Sequence, residues 1–191
     1  MYERDKRMKI LVVYQSKTGF ARRYAEMIGT AVGAEVAEFR TASAEQMSKY
    51  DVVVYGAGLY AGRINGLAKA KETFQKSTAG KLVVFATGAT PGEVTAKIEE
   101  VWSVNLPGEE AETIPHFYMQ GGLNYEKMGF MDRLLMKMMA NMLKKKENKD
   151  ETDAGMEQAI LSSFDSTSED YIQPIVEYIR NQGSSAVATA E

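Results

Sequence analysis

Residues 14–21 read YQSKTGFA, a short turn with two hydroxyls and a glycine between an apolar run and an amphipathic stretch. Ser16 and Thr18 offer side-chain oxygens, and the backbone N–H groups of Thr18, Gly19, Phe20 and Ala21 lie where a helix begins. Donors gathered at the positive end of a helix make a compact anion nest, and a phosphomonoester is of the right size for it. The same residues also suit a plain strand-to-helix connection, with Ser16 or Thr18 as N-cap and Gly19 as the turn residue. Two nucleotide motifs are absent. The loop G-x-x-x-x-G-K-[ST] does not occur, and only Gly19 stands where G-x-G-x-x-G needs three glycines. The look-alike GAGLYAG at 56–62 has one residue too many between its second and third glycines and follows the wrong strand. No nucleoside triphosphate or NAD site is expected at these loops.

Two further segments add to the first. Gly56, Gly58 and Gly62 allow backbone to approach a flat ligand closely, while Leu59 and Tyr60 offer apolar and aromatic surface. Thr87 to Thr90 supply more backbone N–H groups. The 191-residue chain has no cysteine, so disulfides, thiolate nucleophiles and Cys-based metal clusters are excluded, and redox chemistry would have to come from a bound organic cofactor. No metal site is expected. The lone His116 reads as packed or exposed rather than catalytic, although with Tyr118 and Tyr125 it lies where it could line a cofactor edge; no acid or base is assigned.

The elements that position these loops follow from apolar periodicity. KILVVY (9–14), DVVVYGA (51–57), KLVVFAT (81–87) and HFYMQ (116–120) are near-continuous apolar runs, as strands buried on both faces require. AEVAEF (34–39) alternates and suits a half-exposed edge strand. Phe20, Tyr24, Met27, Ile28 and Ala31 form one helical stripe, Val94, Ile98, Val101 and Trp102 a second, and Ile172, Ile175, Val176 and Ile179 a third. Thr90, Pro91 and Glu93 predict the N-cap and capping box of the second. Alternating strands and helices imply a three-layer, doubly wound α/β domain with a five-stranded parallel sheet of order 2-1-3-4-5. Ligands of such sheets bind beyond the carboxyl ends of the strands where strand order reverses, which is where all three loops fall.

The composition, 45% hydrophobic and 26% charged with net charge -3, suits a globular chain and gives no sign of a nucleic-acid partner. A single domain is expected over residues 1–181, with 182–191 a disordered tail. Met8 directly precedes the first strand, so residues 1–7 read as an alternative start or a loose extension. No stretch approaches about 20 uninterrupted apolar residues and no signal-peptide core is present, so the expected location is cytoplasmic.

SKTGFA resembles the T/S-x-T-G-x-T phosphate loop of the flavodoxins, and the segments 56–62 and 87–92 resemble the two loops that enclose their FMN ring. The resemblance implies a noncovalently bound FMN. Ser16, Lys17, Thr18, Gly19, Phe20 and Ala21 would hold its phosphate, and Ala57, Gly58, Leu59, Tyr60 and Ala61 together with Thr87, Gly88, Ala89 and Thr90 would contact the ring. Tyr60 is the first choice for stacking, and Gly58 for a peptide that moves with redox state. Two departures stand out. Ala21 replaces a hydroxyl residue, with Lys17, Arg22 or Arg23 near enough to offset the loss, and the third loop lacks the acidic residue and the aromatic common in low-potential flavodoxins. Without negative charge beside the ring, a less negative potential is expected.

A long insertion, about 123–158, precedes a short run, AILSSF (159–164), that could resume a strand. Such an insertion is similar to that of long-chain flavodoxins, and its sequence, with M-D-R followed by L-L-M-K-M-M, to the branch containing menaquinone-dependent protoporphyrinogen oxidase. That likeness implies an FMN-dependent oxidoreductase acting on a porphyrinogen with a quinone acceptor, the alternative being an electron shuttle that serves protein partners. From the residues alone, 130–145 predict a helix with a stripe of Met131, Leu134, Leu135, Met138, Met139, Met142 and Leu143. Either the stripe packs on the domain, or it presents an adaptable methionine surface to a substrate, a partner or the inner face of a membrane.

Overall fold

The four continuous apolar runs become the centre of a sheet because each can be covered on both faces only by helices. The computed structural model describes residues 8–145, 160 and 162–188. Strands β1 (Ile10–Gln15), β2 (Glu35–Glu38), β3 (Val52–Tyr60), β5 (Lys81–Gly88) and β6 (His116–Gln120) lie in the order β2-β1-β3-β5-β6, all parallel, as expected. A short β4 (Arg63–Ile64) folds back antiparallel on β3.

Helices α1 (Phe20–Val32) and α7 (Gln173–Ala188) cover one face, where Tyr24, Ile28, Ile175 and Ile179 close over Val12, Val54 and Phe85. Helices α2 (Ala44–Met47), α3 (Leu67–Gln75) and α4 (Thr95–Asn105) cover the other, where Met47, Leu67 and Trp102 meet Val13, Tyr55 and Val84. A one-turn α5 (Glu110–Thr113) leads into β6.

Four sequence expectations are corrected. The edge strand ends at Glu38, and Phe39 turns inward in a 3-10 turn, where its ring meets Tyr55 edge-on at 5.3 Å. The third strand runs past the expected end at Ala57, so Gly58, Leu59 and Tyr60 belong to a nine-residue β3 rather than to a loop, and Gly58 pairs in register with Thr87. Helix α4 starts at Thr95 behind Val94 with no side-chain cap, since Pro91 to Val94 form a turn first, closed by the Val94 N–H on the Pro91 carbonyl. Finally, α7 runs to Ala188, through most of the tail from 182 for which disorder is expected.

Beyond β6, β7 (Gly122–Leu123) pairs antiparallel with β8 (Phe164–Asp165), so the chain after the insertion returns as a two-stranded clasp and not as a resumed parallel strand. Between them, a 3-10 turn (Tyr125–Lys127) precedes α6 (Phe130–Lys145), which has the predicted bounds. Most of the stripe does not pack down, Leu135 and Leu143 being its half-buried members. Phe130, Met131, Leu134, Met138, Met139 and Met142 are all exposed, Phe130 by 80% and Met142 by 72%, and Ala140 is the buried residue of this helix. The expectations for residues 1–7, for the rest of the insertion at 146–159 and for the tail end at 189–191 lie outside the described residues. Among those described, no helix is long and apolar enough to cross a membrane.

A Cβ on Gly56 would lie 1.9 Å from the Phe85 ring, whereas one on Gly58 would meet nothing closer than the Thr87 carbonyl oxygen at 4.0 Å. Gly56→Ala is therefore expected to cost about 2–3 kcal/mol in urea unfolding. Gly58→Ala should be neutral or slightly stabilising, because it removes unfolded-state entropy without a clash.

Candidate functional site

β1 empties into the turn at 16–19, which the Ser16 hydroxyl shapes by accepting the Gly19 N–H at 3.1 Å. Gly19 has φ 104°, a conformation that L side chains rarely adopt, so the glycine is required by the backbone. The first intrahelical bond of α1 runs from the Arg23 N–H to the Gly19 carbonyl at 3.0 Å. The N–H groups of Phe20, Ala21 and Arg22 thus stand ahead of the ladder at the positive end of the helix. The side chains of Phe20 and Ala21 are buried, and Ala21 belongs to the core between α1 and the sheet. These two residues therefore offer backbone, not side chain, to any ligand.

Register brings the other two segments to the same level. Gln15 pairs with Ala57, and Gly58 with Thr87. Ala57 is fully buried, Leu59 is half-buried against the α3 and α4 face, and Tyr60 is exposed at the rim. Lys17 reaches across from the first turn, its Nζ 4.9 Å from the centroid of the Tyr60 ring. Ala61 (φ 47°) and Gly62 (φ 77°) form the two-residue hairpin turn into β4, the positive φ pair that matches strand twist. Asn65 then fixes this hairpin, donating both its backbone N–H (3.1 Å) and its side-chain Nδ2 (2.9 Å) to the Gly58 carbonyl. A peptide movement at Gly58, the expectation from sequence, would have to break both bonds.

Thr87 and Gly88 close β5, and Ala89 and Thr90 lead out of it. The Thr87 hydroxyl is buried with no hydrogen-bond partner among the described residues, and a Cβ on Gly121 would come within 2.5 Å of it. Gly88 accepts the Gly121 N–H at 2.8 Å, and the Tyr118 hydroxyl donates to the Thr90 carbonyl at 2.8 Å. β6 thereby holds the third segment from below. Burial pushes the Tyr118 phenol far above its ordinary pKa of 10.0, and likewise that of Tyr55, whose hydroxyl donates to the Asn65 carbonyl at 2.6 Å.

His116 is at the other end of β6. Its ring lies 4.5 Å from Trp102 and its Nδ1 is 2.9 Å from the Ile114 carbonyl, so it plays a packing role away from the loops. Tyr125 is turned into the insertion, donating to the Ile160 carbonyl.

On the insertion side of the first turn lies a cleft of 570 Å³, walled by Thr18, Gly19 and Arg22 on one side and by Asn124, Lys127 and Asp165 on the other. No residue of 57–61 or 87–90 lines it, so it opens beside the first turn and apart from the other two segments. Arg22 is held by Glu26 at 2.7 Å, and Arg23 by Asp165 at 2.6 Å. Burial alone would raise the Asp165 carboxyl, but hydrogen bonds from Thr167 and the Arg23 guanidinium bring it below its ordinary value. Lys127, Asn65, Asp165 and Gly121 escaped sequence reasoning. The dipeptide Asn65-Gly66 was a readable turn signal, whereas nothing local marks Lys127.

A phenol kept neutral by the fold favours folding below the unfolded pKa near 10, and that contribution is lost as pH rises beyond it. Tyr118→Phe should therefore cost on the order of 1 kcal/mol at pH 7, by stranding the Thr90 carbonyl, and should make the alkaline loss of stability shallower above pH ~10. Urea melts at pH 7 and at alkaline pH measure both effects.

Residues 11–150, well over half of the chain, match the family described as Flavodoxin domain. No curated protein matches. Among solved structures, the chain is similar to a flavodoxin from the domain Archaea, at 13% identity and a TM-score of 0.39, covering 81% of this chain and 94% of that one. It is also similar to oxidised Flavodoxin 1 from Bacillus cereus, at 16% identity and a TM-score of 0.40 over 62% of this chain and 88% of that one. A flavoprotein in complex with FMN from Lactobacillus acidophilus gives 15% identity and a TM-score of 0.37, over 59% and 92%. Likenesses this distant add nothing to the family match, which stands on its own: the chain belongs to the flavodoxin domain family.

Proposed function

We propose that the protein binds FMN at the carboxyl ends of β1, β3 and β5 and transfers electrons through it. The observation that carries this reading is the turn at 16–19, where three N–H groups stand ahead of the α1 ladder with cationic side chains beside them. The residues fit such a ligand: a left-handed glycine opens the phosphate end, an orphaned hydroxyl at Thr87 awaits a polar partner, and an aromatic ring stands exposed at the rim. When bound, FMN supplies the redox chemistry that a chain without thiols lacks.

The protein's part is binding and electrostatics. Backbone donors at 18–22 receive the phosphate, and Tyr60 offers the stacking face. The Lys17 ammonium over Tyr60 places positive charge at the ring end, and no carboxylate occurs in 57–62 or 87–92. Both features favour the negatively charged reduced flavin and so a less negative potential.

A finer reading is porphyrinogen oxidation with a quinone acceptor, at the inner face of a membrane. The exposed apolar face of α6, with Lys144 and Lys145 in its last turn, supports it over a plain shuttle between protein partners. Phe130, Met131, Leu134 and Met142 would meet the apolar phase and the lysines its anionic headgroups.

Purified protein given FMN and freed of excess should keep a flavin absorption spectrum, and Tyr60→Ala should weaken retention by roughly tenfold. Turnover of protoporphyrinogen with a menaquinone analogue would establish the oxidase reading; a retained flavin without turnover puts the shuttle ahead, and no retained flavin removes the proposal. Anionic liposomes should co-sediment the protein, and Met131→Ser with Met142→Ser should release it. Sedimentation of neither form would rule out the membrane contact.

A further inference from the structure

We propose that Lys127, carried by the first turn of the insertion, is a ligand of the phosphate bound at residues 16–22, so that the insertion completes the anion site; this rests on the FMN reading. The Lys127 Nζ is 3.5 Å from the point that a Cβ on Gly19 would occupy, the sole approach within 4 Å of that point among the described residues apart from the adjoining residues of the turn itself. Its ammonium therefore stands over the one residue of the turn whose side is left open by glycine. The pair is 108 positions apart in sequence, and the meeting is made by the fold.

The turn that delivers Lys127 is firmly held. The Asn124 side chain accepts the Lys127 N–H at 3.1 Å, and the Ser163 hydroxyl accepts the Tyr125 N–H at 2.9 Å. The Tyr125 hydroxyl donates to the Ile160 carbonyl, and β7 pairs with β8. The Arg23 bridge to Asp165 then ties β8 to the first turn of α1 itself. A lysine on such a mount keeps its place over Gly19 with less loss of freedom on binding than a lysine on a free loop.

Charge accounting singles out the same residue. Three cations line the cleft. Arg22 is engaged by Glu26 and Arg23 by Asp165, while no ion pair holds Lys127 among the described residues. Glu126 is its neighbour on the turn, and Glu26 and Asp165, the other carboxylates of the cleft, already face arginines. The uncommitted ammonium is the one beside the open N–H groups. It also answers the departure at position 21: the alanine side chain is spent on the core, so it offers the phosphate nothing, and a charged donor enters from the insertion instead.

The test compares FMN with riboflavin, which lacks the phosphate, by fluorescence titration of the wild-type protein, Lys127→Gln and Lys127→Arg. Lys127→Gln should weaken FMN by roughly tenfold or more and leave riboflavin unchanged, and Lys127→Arg should restore most of the loss. The FMN affinity of the wild type should also fall more steeply with salt than that of Lys127→Gln. Lys127 is exposed, so thermal melts of the variants should match the wild type. Equal loss for both flavins, or no loss for either, would overturn the inference while leaving FMN binding intact. A wild-type protein that binds neither flavin would overturn both.

Discussion

The pairing of β3 with β1 on one side and β5 on the other sets everything that follows. Gln15 stands beside Ala57 and Gly58 beside Thr87, so three strands end at one level and deliver three segments to one place. The register is enforced by shape. The Phe85 ring occupies the volume that any side chain at position 56 would need, and its register partner is Gly56. A slip of one residue would turn every core side chain of these strands to the wrong face and drive Phe85 against a larger neighbour. Gly56 is thus a residue of packing, and the site inherits its alignment from that contact.

The fold was legible because fully buried parallel strands write themselves as continuous apolar runs, and residues 10–13, 52–55 and 82–86 do so. The errors arose where local chemistry competes with tertiary demand. Gly58 has the composition of a loop and is strand, because it pairs in register with Thr87, while Gly56 answers the bulk of Phe85. Thr90, Pro91 and Glu93 had the composition of a helix start, yet the Thr90 carbonyl is drawn off by Tyr118 and the chain turns once more before α4.

For the site, the same division holds. The turn at 16–21 is a local object of six residues, readable from hydroxyls, a glycine and the apolar strand before it. The contacts around the three segments are not local. Asn65 on Gly58, Tyr118 on Thr90, and Lys127 over Gly19 each join separate elements, and no periodicity announces them. The insertion was readable as a helix with an apolar stripe, but not in its orientation: Ala140 faces inward while Phe130, Met131 and Met142 face out. Its head is tied to the first turn of α1 through β7, β8 and Arg23, and its helix leaves a methionine surface exposed.

In the binding mode proposed, residues 16–22 at the carboxyl end of β1 receive the phosphate of a flavin whose ring lies between Tyr60 and the end of β5. The most direct test of that mode is an amide NMR titration with FMN and, separately, riboflavin. FMN is predicted to shift the N–H signals of Thr18, Gly19, Phe20, Ala21 and Arg22 strongly together with those of 57–61 and 87–90, while riboflavin shifts the latter two groups alone. Shifts confined to other parts of the chain, or none with either flavin, would contradict the account.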